Sequence, residues 1–213
     1  MPSRRVGVVL LLLGLRSLQN AGSTSAQEAT LGLFEEHADL GTVQKAGSVE
    51  YDPGQRTYVV AGGGENMWAT TDAFHYVWKR MSGDLSLAAD IRWVGTEGNA
   101  HRKAGLVIRQ SLDPDSPYAD VVVHGNGLTS IQYREVRGGP TREIQSNVSA
   151  PRRIRIDKQG DSVSMSVARE GETLDSAGAS FKIHFGGQGT INVPSWSPDS
   201  AHVAFVSYRL TNP

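Results

Sequence analysis

The stretch that decides the fold is "RKAGLVIRQSLDPDSPYADVVVHGNGLTSIQYR", which runs from Arg102 to Arg134. Its first run alternates, with Ala104 and Leu106 on one side and Lys103 on the other. Successive side chains of a β-strand point to opposite faces, so this run predicts a strand with one apolar and one polar face. Two further alternating runs follow, each after a turn signal, Asp-Pro-Asp and then Gly-Asn-Gly. The stretch therefore predicts three consecutive strands joined by turns.

The same pattern extends over most of the chain beyond the first 26 residues. Short alternating runs rich in Val, Ile, Thr and Tyr are separated by glycine or proline turns, and the chain has 24 glycines among its 213 residues. Many short strands with turn signals at intervals of about 8–12 residues are typical of an antiparallel sandwich or barrel. We find little helical periodicity, no β-α alternation and no internal repeat. The sequence therefore predicts an all-β antiparallel domain over residues 27–185.

A family resemblance rests on "GGGENMWATTDAFHYVWKRMSGDLSLAADIRW", Gly62 to Trp93, followed by the Arg102–Arg134 stretch. These motifs, in this order, resemble the concanavalin A-like sandwich domains of secreted bacterial proteins, some of which are fused to TolB-like propellers. The resemblance covers roughly Leu33 to Glu170. It implies a two-sheet jelly roll with one curved sheet. Related folds bind or cleave carbohydrate, but a fold alone does not confer an activity.

The tail, residues 186–213, differs from the rest of the chain. Its "SWSPDS", Ser195 to Ser200, followed by an apolar strand, resembles one unit of a TolB-like β-propeller. Sandwiches of this family usually continue through further strands after Gly171, and we expect those strands to be missing here. A lone two-stranded hairpin is marginal in water. We therefore expect His202–Tyr208 to pair with the edge of the sandwich in place of the missing strands.

The N-terminal 26 residues have the order of a secretory signal peptide. Arg4 and Arg5 precede the uncharged run Val6–Leu15, and small polar residues follow. Such a run is too short to cross a bilayer as a helix, which takes about 20 residues. We expect cleavage after Ala26, with Ser23 as the alternative position, and a secreted or periplasmic product without a membrane span. A buried N-terminal helix is the other interpretation of this segment.

Polar residues that alternate with the apolar ones would form one surface if their strands share a sheet. On a concave sheet, such a surface could bind sugar hydroxyls or carboxylates through paired hydrogen bonds. The alternative is a solvated sheet face with ion pairs between strands. Besides Asp90, the candidate ligand-binding residues on this surface are Arg92, Lys103, Arg109, Asp120, His124, Gln132 and Arg134.

Trp68 is a further candidate for ligand binding. It follows three glycines and Asn66, which favours a loop that carries a large aromatic side chain. An aromatic ring can serve as an apolar platform for a sugar ring. The alternative is that Trp68 caps the edge of the core.

The sequence contains no motif typical of a catalytic, metal or cofactor site, so we predict no catalytic residue, metal site or cofactor. There is no Glu-x-Asp-x-x-Glu run, no Gly-x-Ser-x-Gly elbow and no His-x-x-x-His pair, and the six histidines are scattered. The chain has no cysteine, which excludes disulfides, thiolate metal sites and a lipid-modified cysteine. Asp113, Asp115 and Asp120 lack the glycine and glutamate of a helix-loop-helix calcium loop, so we interpret them as part of a turn.

Three functions are compatible with these observations. The first is a non-catalytic secreted module that binds carbohydrate or another polyhydroxylated ligand. The second is a structural or interaction domain that packs on a TolB-like propeller, with the C-terminal fragment as the contact to a protein partner. The third is a hydrolase of unknown type. A net charge of -1 gives no general attraction for nucleic acid.

Overall fold

A computed structural model describes residues 8–11, 31–95, 98–174, 180–184 and 201–207, the first and the last two ranges as backbone only. The described residues form fourteen strands and no helix. Their bounds are β1 Val8–Leu11, β2 Glu36–Leu40, β3 Ser48–Asp52, β4 Thr57–Ala61, β5 Phe74–Met81, β6 Leu85–Trp93, β7 Lys103–Arg109, β8 Tyr118–His124, β9 Thr129–Arg134, β10 Arg142–Gln145, β11 Arg153–Gln159, β12 Ser162–Ala168, β13 Ser180–His184 and β14 Ala201–Ser207.

The strands form two seven-stranded antiparallel sheets, and the all-β antiparallel sandwich predicted from the sequence is confirmed. Sheet A has the order β13-β12-β11-β6-β1-β4-β3, and sheet B has the order β10-β9-β8-β7-β14-β5-β2. The three alternating runs of the Arg102–Arg134 stretch form β7, β8 and β9. The three strands are neighbours in sheet B, as consecutive strands joined by short turns are expected to be.

The apolar halves of the alternating strands pack between the two sheets. Leu106 and Val121 of sheet B meet Ile154 and Met165 of sheet A in one buried cluster, and each of these side chains is fully buried. Burial of apolar surface at about 25 cal/mol per Å² is the main force that holds such sheets together. The alternation therefore fixes the register, because a slip by one residue would turn the apolar side chains outward.

The outer face of sheet B carries a second buried cluster. Phe74, Tyr76 and Trp78 of β5 pack there with Val107, and Met67 from the segment before β5 covers them. All seven positions of β7 and of β8 are buried, so these strands are covered on both faces. The polar residues that alternate with the core of sheet B consequently lie beneath a layer of the chain's own residues.

Two strands come from segments that the sequence assigns to other roles. Val8–Leu11, within the expected signal peptide, forms β1 between β4 and β6. Its antiparallel partners run from Thr57 to Val60 on one side and from Asp90 to Trp93 on the other. The expected cleavage positions, Ser23 and Ala26, lie outside the described residues.

The C-terminal strand corrects the expected position of the tail. Ala201–Ser207 forms β14, which pairs with β5 on one side and β7 on the other. It is thus an interior strand of sheet B, whereas we expected it at an edge. An interior strand satisfies its backbone groups on both sides, which suits a run as apolar as this one. The propeller-like "SWSPDS" and Tyr208 lie outside the described residues.

Candidate functional site

The centre of the polar face is a buried ion triad. Asp72 lies at the end of the segment before β5, and both of its carboxylate oxygens accept hydrogen bonds from guanidinium groups. Arg134 reaches them with two nitrogens, at 2.7 and 2.9 Å, and Arg109 with one, at 3.1 Å. All three side chains are fully buried. A fork-to-fork pair of this kind fixes orientation as well as charge.

The remaining guanidinium donors of the triad bind backbone carbonyl oxygens of neighbouring loops. Arg109 donates to Ser111 at 2.8 Å and to Asp113 at 2.6 Å. Arg134 donates to Gly139 at 3.0 Å and to Ser116 at 3.1 Å. The two cations therefore hold together the loops at this end of sheet B. Their donors are engaged within the protein, so they are structural groups.

A second polar group surrounds the ammonium of Lys103 at the start of β7. Lys103 donates to Asn66 Oδ1 at 3.1 Å, to the Met67 carbonyl at 3.1 Å and to Gln132 Oε1 at 2.9 Å. Burial lowers the pKa of Lys103, while the negative charges of Asp120 and Glu143 act in the opposite direction. The ammonium thus ties the loop before β5 to the middle of sheet B.

Asp120 and His124 of β8 each have a buried atom without a hydrogen-bond partner, Asp120 Oδ2 and His124 Nδ1. Burial raises the pKa of Asp120 well above its usual value, although the charge of Lys103 opposes this. Burial, with Lys103 as the next cause, lowers the pKa of His124 to about 4. Both groups are therefore driven toward their neutral forms, as desolvation requires.

Gln132 of β9 joins the groups on this face. Its side-chain amide accepts from Lys103 and donates to Glu143 Oε1 of β10 at 2.8 Å. Burial alone would raise the pKa of Glu143, but hydrogen bonds from Gln145 and Gln132 outweigh it and the pKa is lowered. Glu143 is only partly buried, so this end of the network approaches the surface.

Trp68 lies on the loop that covers the polar face. Its side chain is exposed, at 44% of the maximum, so it does not cap the core edge. The Lys103 ammonium lies 5.3 Å from the centroid of its ring, which is the geometry of a cation–π contact. Its neighbour in the chain, Met67, is 1% exposed and anchors the loop in the cluster beneath.

Beside Trp68 the surface forms a groove of about 720 Å³. Polar side chains of Thr42, Glu65, Asn66 and Thr71 line it together with the indole. Asp72 also lines the groove, with both carboxylate oxygens bound by the arginines. The arrangement is an exposed aromatic ring next to several hydrogen-bonding groups, on a loop that buried ion pairs hold in place.

The structure brings together most of the predicted site residues. Lys103, Arg109, Asp120, His124, Gln132 and Arg134 lie on the outer face of sheet B, and Trp68 lies above them. Arg92 and Asp90 were wrongly grouped with them, because they belong to β6 of sheet A. Asp90 instead pairs with Arg153 of β11 at 2.6 Å. The polar face is covered by the Gly62–Ala73 segment of the same chain, so it is neither an open groove nor a solvated face.

Sequence reasoning missed the partners that loops outside the alternating runs supply. Asp72, Asn66 and Thr141 are close to the polar face only because of tertiary structure, and they lie outside the alternating runs. One signal was available: an excess of arginine and lysine on strands as apolar as β7 requires buried anions nearby. Asp72, in the same family-like stretch as Trp68, was one of several acidic candidates in the sequence.

No family model and no curated protein matches the chain. Among solved structures, full-length tailspike protein 2 of a bacteriophage of Escherichia coli O157:H7 is similar with 11% identity, a TM-score of 0.37 and coverage of 82% of this chain and 24% of that chain. The enzymatically active domain of bacteriophage CBA120 tailspike protein 2 is similar with 13% identity, a TM-score of 0.37 and coverage of 87% and 26%. The chain spans about a quarter of the length of these proteins, and similarity at this level carries no argument about function.

Proposed function

We propose that the protein is a non-catalytic binding module for carbohydrate or another polyhydroxylated ligand, and that the ligand binds in the groove beside Trp68. The observation that carries this proposal is the exposure of Trp68 on a rigidly held loop. A large aromatic side chain is usually buried, whereas Trp68 is 44% exposed and lies beside polar groups. The structure thus has an apolar surface and hydrogen-bonding groups side by side, which is the combination that a sugar ring requires.

Rigidity of the loop supports the same proposal. Binding costs less when the protein does not have to order a loop or a side chain. Asp72, three residues from the groove-lining Ala69, is fixed by Arg109 and Arg134, and Met67 is buried next to Trp68. The buried polar network therefore acts indirectly: it positions the platform, and the ligand does not touch Arg109 or Arg134.

The experiment is a glycan array probed with the full chain and with two variants. Trp68→Ala removes the platform, and Val136→Ala truncates another exposed hydrophobic residue as a matched control. We expect the full chain and Val136→Ala to bind the same oligosaccharides, and Trp68→Ala to lose at least tenfold in affinity for them. Equal binding by all three proteins would refute the groove as the site, and no binding by any of them would refute the proposed function.

A further inference from the structure

Three hydrogen-bonded side chains, called the relay below, lie at the β2 edge of sheet B, and none of them lines the groove beside Trp68. His37 and Asp39 are on β2, His75 is on β5, and the register places Asp39 opposite His75. His37 Nδ1 and His75 Nε2 are 3.1 Å apart, and His75 Nδ1 is 2.8 Å from Asp39 Oδ1. His75 is buried, at 1% exposure, and His37 is exposed to solvent. One end of the relay is therefore accessible.

The carboxylate fixes the proton on His75. Both oxygens of Asp39 accept a hydrogen bond from the Gly47 amide, at 3.1 and 3.0 Å, so this carboxylate acts as an acceptor. His75 must then carry its proton on Nδ1, which leaves a lone pair on Nε2 directed toward His37. His75 is buried, and burial favours the neutral form of an imidazole.

Gly47 makes the arrangement possible. A Cβ atom at this position would overlap the His75 ring, so only glycine lets the backbone approach closely enough to bind Asp39. The chain thus holds a neutral imidazole in one orientation, with its second nitrogen unprotonated and next to an accessible imidazole. The Nε2 lone pair of His75 accepts a hydrogen bond from His37, and the same lone pair could instead coordinate a cation.

We propose that His37 and His75 form a binding site for a divalent cation that prefers imidazole ligands, Zn²⁺ or Cu²⁺, with Asp39 orienting His75. Two nitrogens 3.1 Å apart, each at the usual metal distance of 2.0–2.1 Å, subtend an angle of about 100° at the ion, within the range of neighbouring ligands. A carboxylate that accepts the other N–H of a ligating histidine is the usual support of such a ligand. The buried His75 ring is fixed by Asp39, so the exposed His37 ring has to rotate for its Nδ1 lone pair to meet the ion that lies beside His75 Nε2.

The protein supplies two ligands to this site, and water supplies the others. Among the described residues, no set of three or more His, Cys, Asp or Glu side chains is grouped so that it could hold a metal ion. An open coordination sphere of this kind suits an exchangeable ion better than a structural one. The site shares no residue with the lining of the groove beside Trp68, so the two proposals can fail independently.

The test is isothermal titration of the metal-free full chain with ZnCl₂ and, separately, with CuCl₂. We expect one equivalent of at least one of the two ions to bind. His37→Gln keeps a hydrogen-bonding side chain near His75 and should weaken the affinity at least tenfold, and Asp39→Asn should weaken it about 10–100-fold. His101→Gln, a change at another exposed histidine, should leave the affinity unchanged.

Long-range ¹H–¹⁵N spectra of the imidazoles identify the ligands even where a variant perturbs folding. Added Zn²⁺ should shift the Nδ1 resonance of His37 and the Nε2 resonance of His75. Three results would overturn the proposal: no binding of either ion, binding that His37→Gln leaves intact, or shifts confined to other histidines. The last two would mean that the His37–His75 contact is only a hydrogen bond.

Discussion

Asp72 is the anion that Arg109 and Arg134 share on the polar face of sheet B. Its two oxygens bind two fully buried guanidinium groups, so its removal leaves two buried positive charges without their carboxylate. The sequence placed Arg109 and Arg134 on this face correctly but offered two roles for them, ligand binding or ion pairing. Their complete burial decides for ion pairing within the protein.

The substitution Asp72→Asn tests that role. Because breaking a buried ion pair leaves an uncompensated charge, we expect the free energy of unfolding to fall by about 3–5 kcal/mol in urea denaturation. Asp115→Asn is the control, since its pair with Arg137 lies at the surface and should contribute little. Equal stability of the two variants would contradict a structural role for the triad.

His124 gives the protein a predictable dependence of stability on pH. Its pKa is about 4 in the folded protein and 6.5 in the unfolded chain, so the unfolded chain binds the proton first as the pH falls. The stabilising contribution of neutral His124 is complete above pH 6.5 and is lost between pH 6.5 and 4, by at most about 3 kcal/mol. Asp120, whose pKa is raised, has the opposite effect as the pH changes.

Comparison of the parent with His124→Gln isolates this contribution. We expect the difference in melting temperature between the two proteins to shift in favour of the variant as the pH is lowered from 7 to 4. Burial also lowers the pKa of His75, but this residue is present in both proteins, so its effect on the pH dependence cancels in the difference. A difference that stays constant across this range would show that His124 has the same pKa in the folded and unfolded states.

At the scale of elements, β7, β8 and β9 follow from the sequence almost residue by residue, because alternation and turn residues are local signals. The partners of a strand across the sheet are not local. Arg92 of β6 was misplaced for this reason: its alternation is correct, but nothing in the run indicates that β6 belongs to sheet A. The interior position of β14 was unpredictable in the same way.

β14 joins the two parts of sheet B, and its deletion is the test of that role. Without residues 190–213, β5 and β2 lose their connection to β7, and two strand edges become unpaired. Unpaired apolar edges favour aggregation. We expect a lower melting temperature and larger species in sedimentation velocity.

The matched control for this deletion removes only residues 208–213, which leaves β14 in place. This shorter truncation should melt like the full chain and keep its sedimentation behaviour. If the 190–213 deletion also does so, the tail is dispensable and the account of sheet B is wrong.

At the scale of the whole molecule, the fold class followed from the sequence and the candidate site followed only in part. Alternation predicts which side of a strand is polar, but it does not reveal what covers that side. Here the segment containing Asn66, Trp68 and Asp72 folds over sheet B, buries its charges and leaves the indole outside. The polar face, which we expected to be an open groove, is covered by this segment. Its buried charges hold the loop that forms the groove beside Trp68.

The measurement that tests this account most directly is the indole N–H spectrum of the chain during titration with an oligosaccharide identified on the array. The chain has four tryptophans, so each indole can be assigned by substitution. We predict that the Trp68 resonance shifts in a saturable manner, while that of Trp78, buried on β5, stays in place. A saturable shift of other indoles with Trp68 unmoved would contradict the central claim that Trp68 is the binding platform.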